Sequence, residues 1–210
     1  MSGTAVRAVL FDFGGVLTTS PFDAFARYEA EHALPAGFIR SVNARNHHHN
    51  AWARLERAEL SPAAFDAAFA AESAELGHEV PGADVLALLA GDLRPAMVRA
   101  LTRVHERLAT GLLTNNFLTG DGATPSPFAA VLAEFDVIVE SARVGVRKPE
   151  PRFYELACDA LAIEPSEAVF LDDLGVNLKP AAAMGMRTIK VVDPDAAITE
   201  LASIVGFSLA

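Results

Sequence analysis

Val6-Arg7-Ala8-Val9-Leu10-Phe11-Asp12-Phe13-Gly14-Gly15 carries a short, nearly continuous apolar run straight into a carboxylate and two glycines. A run of this length and composition reads as a strand buried on both faces, as in a parallel sheet. With the first at residues 6–11, similar runs recur at 110–113, 135–139, 168–171 and 188–192. After residue 93 they alternate with helix-like segments at 95–108, 126–133, 150–161 and 176–184. Gly185 stands where a helix C-terminus favours glycine. This alternation predicts an α/β fold: a doubly wound, Rossmann-like parallel sheet.

Residues 18–93 interrupt the alternation. The stretch is rich in Ala, Glu and Phe, and no segment in it has the character of a strand. Ser61-Pro62 supplies a hydroxyl N-cap and a proline at the first helical position, predicting a helix from there to about Ser73. Phe65, Ala68 and Phe69 fall at i, i+3 and i+4 and would line one face of it. The expected organisation is therefore an α/β core of residues 1–17 and 94–210 with a helical insert at 18–93. Phe22, Trp52 and Phe65 are expected to pack that insert, with pocket lining as the alternative.

The chain has 210 residues, 51% of them hydrophobic, which is a folding composition rather than a disordered one. Seventeen Lys and Arg against 27 Asp and Glu leave a net charge of −10, so there is no basic excess to neutralise a nucleic acid backbone. A small phosphorylated ligand needs only one or two local cations and is not excluded. The lone Cys158 rules out a disulfide framework or a multi-cysteine zinc site, and in its helix-like setting it reads as a small buried hydrophobe. No apolar run approaches the ~18 residues of a membrane span. Asp12 breaks the N-terminal apolar run, which makes a poor signal peptide. The expectation is a reduced, cytoplasmic protein with no membrane partner.

In open α/β sheets the ligand lies beyond the carboxyl ends of the strands. Those ends are polar here: Asp12 after the first, Thr114-Asn115-Asn116 after the second, Asp172-Asp173 after the fourth, with Lys148 before Pro149. Each alone is ordinary turn chemistry. Brought to one rim, they suit phosphoryl transfer. Asp12 can attack phosphorus and form a labile acyl phosphate, dividing one hard hydrolysis into two easier steps. Asp12 with an aspartate of the 172–173 pair can hold Mg²⁺, and Lys148 and the Thr114 hydroxyl can hold phosphoryl oxygens.

Leu10-Phe11-Asp12-Phe13-Gly14-Gly15-Val16-Leu17, Leu112-Leu113-Thr114-Asn115, Gly145-Val146-Arg147-Lys148-Pro149-Glu150-Pro151 and Phe170-Leu171-Asp172-Asp173-Leu174-Gly175-Val176-Asn177-Leu178-Lys179-Pro180 occur in this order. Together they resemble the four motifs of the haloacid dehalogenase (HAD) superfamily, mostly its phosphatases. The last two are similar to the N-terminal phosphatase domain of soluble epoxide hydrolase and to related domains fused to acyl-CoA dehydrogenases. The insert is similar to the superfamily's helical C1 cap, which would close over substrate. The resemblance implies a Mg²⁺-dependent phosphohydrolase of small phosphorylated metabolites that works through an aspartyl-phosphate. It makes Asp12 the nucleophile and a metal ligand, with the Gly14 carbonyl and Asp173 as further ligands and Asp172 as a supporting or indirect one. Phe13, Thr114, the Asn115 main chain and Lys148 would bind the phosphoryl group. Lys148 would also stabilise Asp12, and Asn177 would brace the aspartate loop.

Gly14 departs from the pattern, because most of these phosphatases carry a second aspartate there to protonate the leaving oxygen. Three consequences stay open. The substrate has a good leaving group, or an insert residue or water supplies the proton, or the protein binds phosphate and Mg²⁺ without turnover. His47-His48-His49 reads as a polar loop, with the alternative that one of them replaces the missing acid. A 2-haloacid dehalogenase shares the fold and nucleophile but needs no metal, so the aspartate pair would be wasted on it. A dinucleotide site fails on spacing, since G-x-G-x-x-G is absent.

Overall fold

A computed structural model describes residues 4–115 and 126–209. In chain order the elements are β1 (Ala8–Phe11), α1 (Pro21–Glu31), α2 (Phe38–Ala44), α3 (Ala51–Glu56), α4 (Pro62–Ala74), α5 (Gly82–Ala87), α6 (Pro95–His105) and β2 (Ala109–Thr114). They continue with α7 (Ala129–Leu132), β3 (Val137–Glu140), α8 (Ser141–Val144), α9 (Pro151–Leu161), a 3₁₀ turn at Pro165–Glu167, β4 (Ala168–Asp172), α10 (Gly175–Ala183), β5 (Arg187–Lys190) and α11 (Pro194–Val205). Two compact units result: Met1–Thr18 with Leu93–Ala210, and Thr19–Asp92.

The first unit is a five-stranded parallel sheet in the order β3-β2-β1-β4-β5. β1 is central and buried on both faces, as its unbroken apolar run requires. Its side chains alternate between two cores. Val9 and Phe11 join the core beneath α6 and α11, while Leu10 joins the one beneath α9 and α10. Phe11→Ala, in the core beneath α6 and α11, would cost about 3–5 kcal/mol. Proline opens α6, α9 and α11, where its fixed φ suits the first turn and its missing N–H costs no helical bond. Strand order reverses between β1 and β4, so the crevice where such sheets bind ligands opens beside Asp12.

Several details differ from the sequence reading, among them β5, which ends at Lys190 rather than 192, and α6, which ends at His105 rather than 108. β1 begins at Ala8, two residues late. β3 begins at Val137 rather than 135, because Phe135 turns into the core against Phe11 and Asp136 folds its carboxylate back onto Thr110 N–H at 2.8 Å. The helix expected at 126–133 is only Ala129–Leu132. Helix α11 was not anticipated at all, although Asp193-Pro194 announces it: Asp193 Oδ1 accepts the Ala196 N–H at 2.8 Å.

The second unit holds α1–α5 around its own core of Phe25, Phe38, Ile39, Val42, Leu55, Phe65 and Phe69. Ser61 Oγ accepts the Ala64 N–H, the cap expected of Ser61-Pro62. Glu29 is buried at 3% exposure and accepts Gly37 N–H at 2.7 Å and Ile39 N–H at 2.9 Å, one on each carboxylate oxygen. Gly82 lies where α5 presses on α4: a Cβ there would stand 2.7 Å from Asp66 Cα. No helix among the described residues is long and apolar enough to cross a membrane.

Candidate active site

Asp12 follows β1 and continues its ladder, donating its N–H to Leu171 O at 2.9 Å. Its side chain is thereby fixed at the rim between β2 and β4. It is 8% exposed. Oδ1 accepts the Phe13 N–H at 2.7 Å and meets Lys148 Nζ at 2.7 Å. Oδ2 has no hydrogen-bond partner among the described residues.

Lys148 is 2% exposed and stands between two acids, since Nζ also meets Asp172 Oδ2 at 2.8 Å. Asp172 ends β4, is wholly buried, and is fully engaged. Asn177 Nδ2 reaches both its oxygens at 3.1 and 3.0 Å, and Leu174 N–H donates to Oδ1 at 2.8 Å. A buried charge is tolerated when its lone pairs are filled in this way. Tyr154 completes the support: it is buried on α9 and its hydroxyl donates to Asn177 O at 2.7 Å. Sequence reasoning missed Tyr154. A phenol in an otherwise apolar stripe of α9 was the available signal, because a buried hydroxyl needs a partner.

Asp173 is half-buried, and no lysine or arginine pairs with it among the described residues. Its carboxylate closes on Gly15, where a Cβ would stand 2.7 Å from Asp173 Cγ. Gly15 also has φ +78°, a conformation that favours glycine. The glycine at 15 thus serves backbone geometry and carboxylate approach together. Carboxylate oxygens of Asp12, Asp172 and Asp173 lie within 4.8 Å of one another. The Gly14 carbonyl, two residues along the chain from Asp12, accepts no hydrogen bond among the described residues.

One lysine cannot balance three acids, and the titration directions record it. Burial pushes Asp12 above the usual carboxylate range, with Asp172 and Asp173 adding to the effect and Lys148 opposing it. Burial and Asp172 push Asp173 up to about 6. For Lys148, burial works against the cation, but Asp12 and Asp172 together outweigh it and raise the pKa.

Thr114 is buried at the end of β2. Asn115 turns its carboxamide onto the main chain of Lys148. Phe13 is in the core against Phe128, so its main chain is what faces the site. Asn116 lies outside the described residues. His47, His48 and His49 are exposed on the turn between α2 and α3, with neighbouring ring centroids 4.0 and 6.4 Å apart. Phe22, Trp52 and Phe65 pack the core of the helical unit, with Trp52 Nε1 donating to Glu56 at 2.9 Å. Cys158 is buried, and burial holds its thiol up at about 11, far from a nucleophile's range.

Residues 6–185 match the profile of haloacid dehalogenase-like hydrolases. Among curated proteins the chain is 37% identical to mouse acyl-CoA dehydrogenase family member 10 and 35% identical to pig bifunctional epoxide hydrolase 2. Those matches cover 99% and 98% of this chain but only 20% and 40% of theirs, so the chain spans well under half the length of either relative. It is 29% identical to phosphatase MT3486 of Mycobacterium tuberculosis (strain CDC 1551 / Oshkosh), over 89% of this chain and 88% of that one. A HAD family enzyme of Bacteroides thetaiotaomicron, solved with magnesium and inorganic phosphate, shares the fold at a TM-score of 0.59 and 20% identity. That match covers 89% of this chain and 94% of that one.

Proposed function

The chain belongs to the haloacid dehalogenase-like hydrolases, and on that footing we propose that it is a Mg²⁺-dependent phosphohydrolase of small phosphorylated metabolites. The observation that carries this is the unequal use of the rim carboxylates. Asp172 spends its oxygens on Lys148, Asn177 and Leu174, whereas Asp12 Oδ2, Asp173 and the Gly14 carbonyl keep acceptor capacity that no described residue fills. Three oxygen donors with excess negative charge fit a hard divalent cation that completes its shell with water and phosphate. The magnesium and phosphate of the Bacteroides enzyme support the same assignment. When bound, the ion would neutralise the rim and let an anionic substrate approach.

The Asp12 carboxylate is the nucleophile in this scheme. Its attack on phosphorus forms the Asp12–phosphoryl bond and breaks the bond to the leaving oxygen, which departs with the electron pair. Lys148 draws charge from Asp12 Oδ1 and from the phosphoryl oxygens, and the Asn115 N–H and Thr114 hydroxyl hold the latter. Water then attacks the acyl phosphate, returning the carboxylate and releasing inorganic phosphate. Gly14 offers no side chain to protonate the leaving oxygen, which favours acyl or anomeric phosphates over simple alkyl esters.

Phosphate release from p-nitrophenyl phosphate, acetyl phosphate and sugar 1-phosphates tests the proposal. Turnover should need Mg²⁺ and vanish in Asp12→Asn. Mg²⁺ binding without turnover of any of them would instead make the protein a phosphate and metal binder.

A further inference from the structure

We propose that the carboxamide of Asn115 is a positioning group that acts through Lys148, a role separate from any main-chain contact of Asn115 with phosphate. Lys148 lies between α8 and α9 in a segment with neither helix nor strand, so no regular backbone ladder fixes it. Its ammonium must nevertheless stay between Asp12 and Asp172, at 2.7 and 2.8 Å, on the end of a flexible four-carbon stem. Asn115 supplies the missing anchor. Its Oδ1 accepts the Lys148 N–H at 3.0 Å and its Nδ2 donates to the Lys148 carbonyl at 3.2 Å. Both main-chain groups of one residue are taken by one planar carboxamide, which offers a donor and an acceptor side by side. A carboxylate or hydroxyl of similar size cannot do both with fixed geometry.

The anchor is rigid because of where it starts. Asn115 follows directly on β2, which pairs with both β1 and β3, so the carboxamide is carried by the sheet that also carries Asp12. The tie therefore sets the origin of the lysine stem and the position of the nucleophile in one frame. A displacement of about 1 Å at a catalytic group costs on the order of 10²-fold in rate.

The kinetic part of this inference rests on the phosphohydrolase proposal, while the tie itself does not. Hydrogen exchange at the Lys148 amide and steady-state turnover of p-nitrophenyl phosphate are measured for wild type, Asn115→Ala and Asn115→Asp, each also in a Lys148→Met background. Asn115→Ala should speed exchange in residues 145–150 but not in β1 or β4, and lower kcat by about 10–100-fold with KM changed by less than about threefold. Asn115→Asp keeps the acceptor for the Lys148 N–H and should recover part of the protection; it also stands in if the alanine variant does not fold. With Lys148 replaced by Met, removing the carboxamide should cost less than about threefold more, because the residue it positions is gone. Unchanged exchange in Asn115→Ala overturns the tie. Unchanged kcat, or a full additional loss in the Lys148→Met background, overturns the positioning role. If wild type turns over no ester, the phosphohydrolase proposal falls, and exchange still decides the tie.

Discussion

Glu29 in the helical unit and Asp12 in the α/β unit are both buried carboxylates, at 3% and 8% exposure, and they are buried for opposite reasons. Glu29 gives one oxygen to each of two backbone N–H groups at the start of α2, so both of its oxygens are engaged in holding the helix start. Asp12 concentrates its contacts on Oδ1 and leaves Oδ2 without a hydrogen-bond partner among the described residues, beside Asp173, which no lysine or arginine among them pairs with. Burial alone does not mark a functional carboxylate. Burial with unused acceptor capacity does, because the protein carries a desolvation cost that only a ligand can offset.

Substitutions at the two sites should separate along that line. Asp12→Asn should have the largest effect, at least about 10⁴-fold on turnover, because the nucleophile itself is removed. Retained turnover in that variant would break the comparison at its root. Gly15→Ala comes next. Its Cβ would crowd the Asp173 carboxylate, and the residue would be held at positive φ, so Mg²⁺ affinity by calorimetry should fall about 10–100-fold. Glu29→Ala should cost about 2–4 kcal/mol in urea unfolding by stranding the buried Ile39 N–H and the part-buried Gly37 N–H. A cost near zero would show that Glu29 is not structurally spent. Tyr154→Phe removes one hydrogen bond to the Asn177 carbonyl and should cost about 1 kcal/mol in the same measurement.

The sheet was legible because a parallel strand writes its burial into consecutive residues, as in Ala8–Phe11 and Ala168–Asp172. Asp12, Lys148 and the Asp172–Asp173 pair were legible because the chemistry of strand ends and the motif order name them. What escaped was pairing over long sequence separations. Nothing in the string says that the carboxamide of Asn115 meets residue 148, that Tyr154 holds Asn177, or that Asp173 fills the space a side chain at 15 would take. The start of β3 escaped for a related reason. Phe135 and Val137 are both apolar, and only the Asp136–Thr110 contact decides which of them joins the ladder.

The central claim is that the α/β rim is strained by its own charge until a cation arrives, and thermal melting tests it directly. The pKa values of Asp12 and Asp173 are raised from 3.8, so the folded protein keeps protons that the unfolded chain releases. The stability these groups contribute is complete below about pH 4 and is lost as pH rises, through about 6 for Asp173 and higher for Asp12. At about pH 8, without metal, Asp12→Asn should therefore melt above wild type by a few degrees, at about 2–4 °C per kcal/mol, while keeping the Oδ1 contacts to Phe13 and Lys148. Added Mg²⁺ should raise the wild-type melting temperature and leave the variant nearly unmoved. A variant that melts below metal-free wild type, with Mg²⁺ shifting neither protein, would contradict the account.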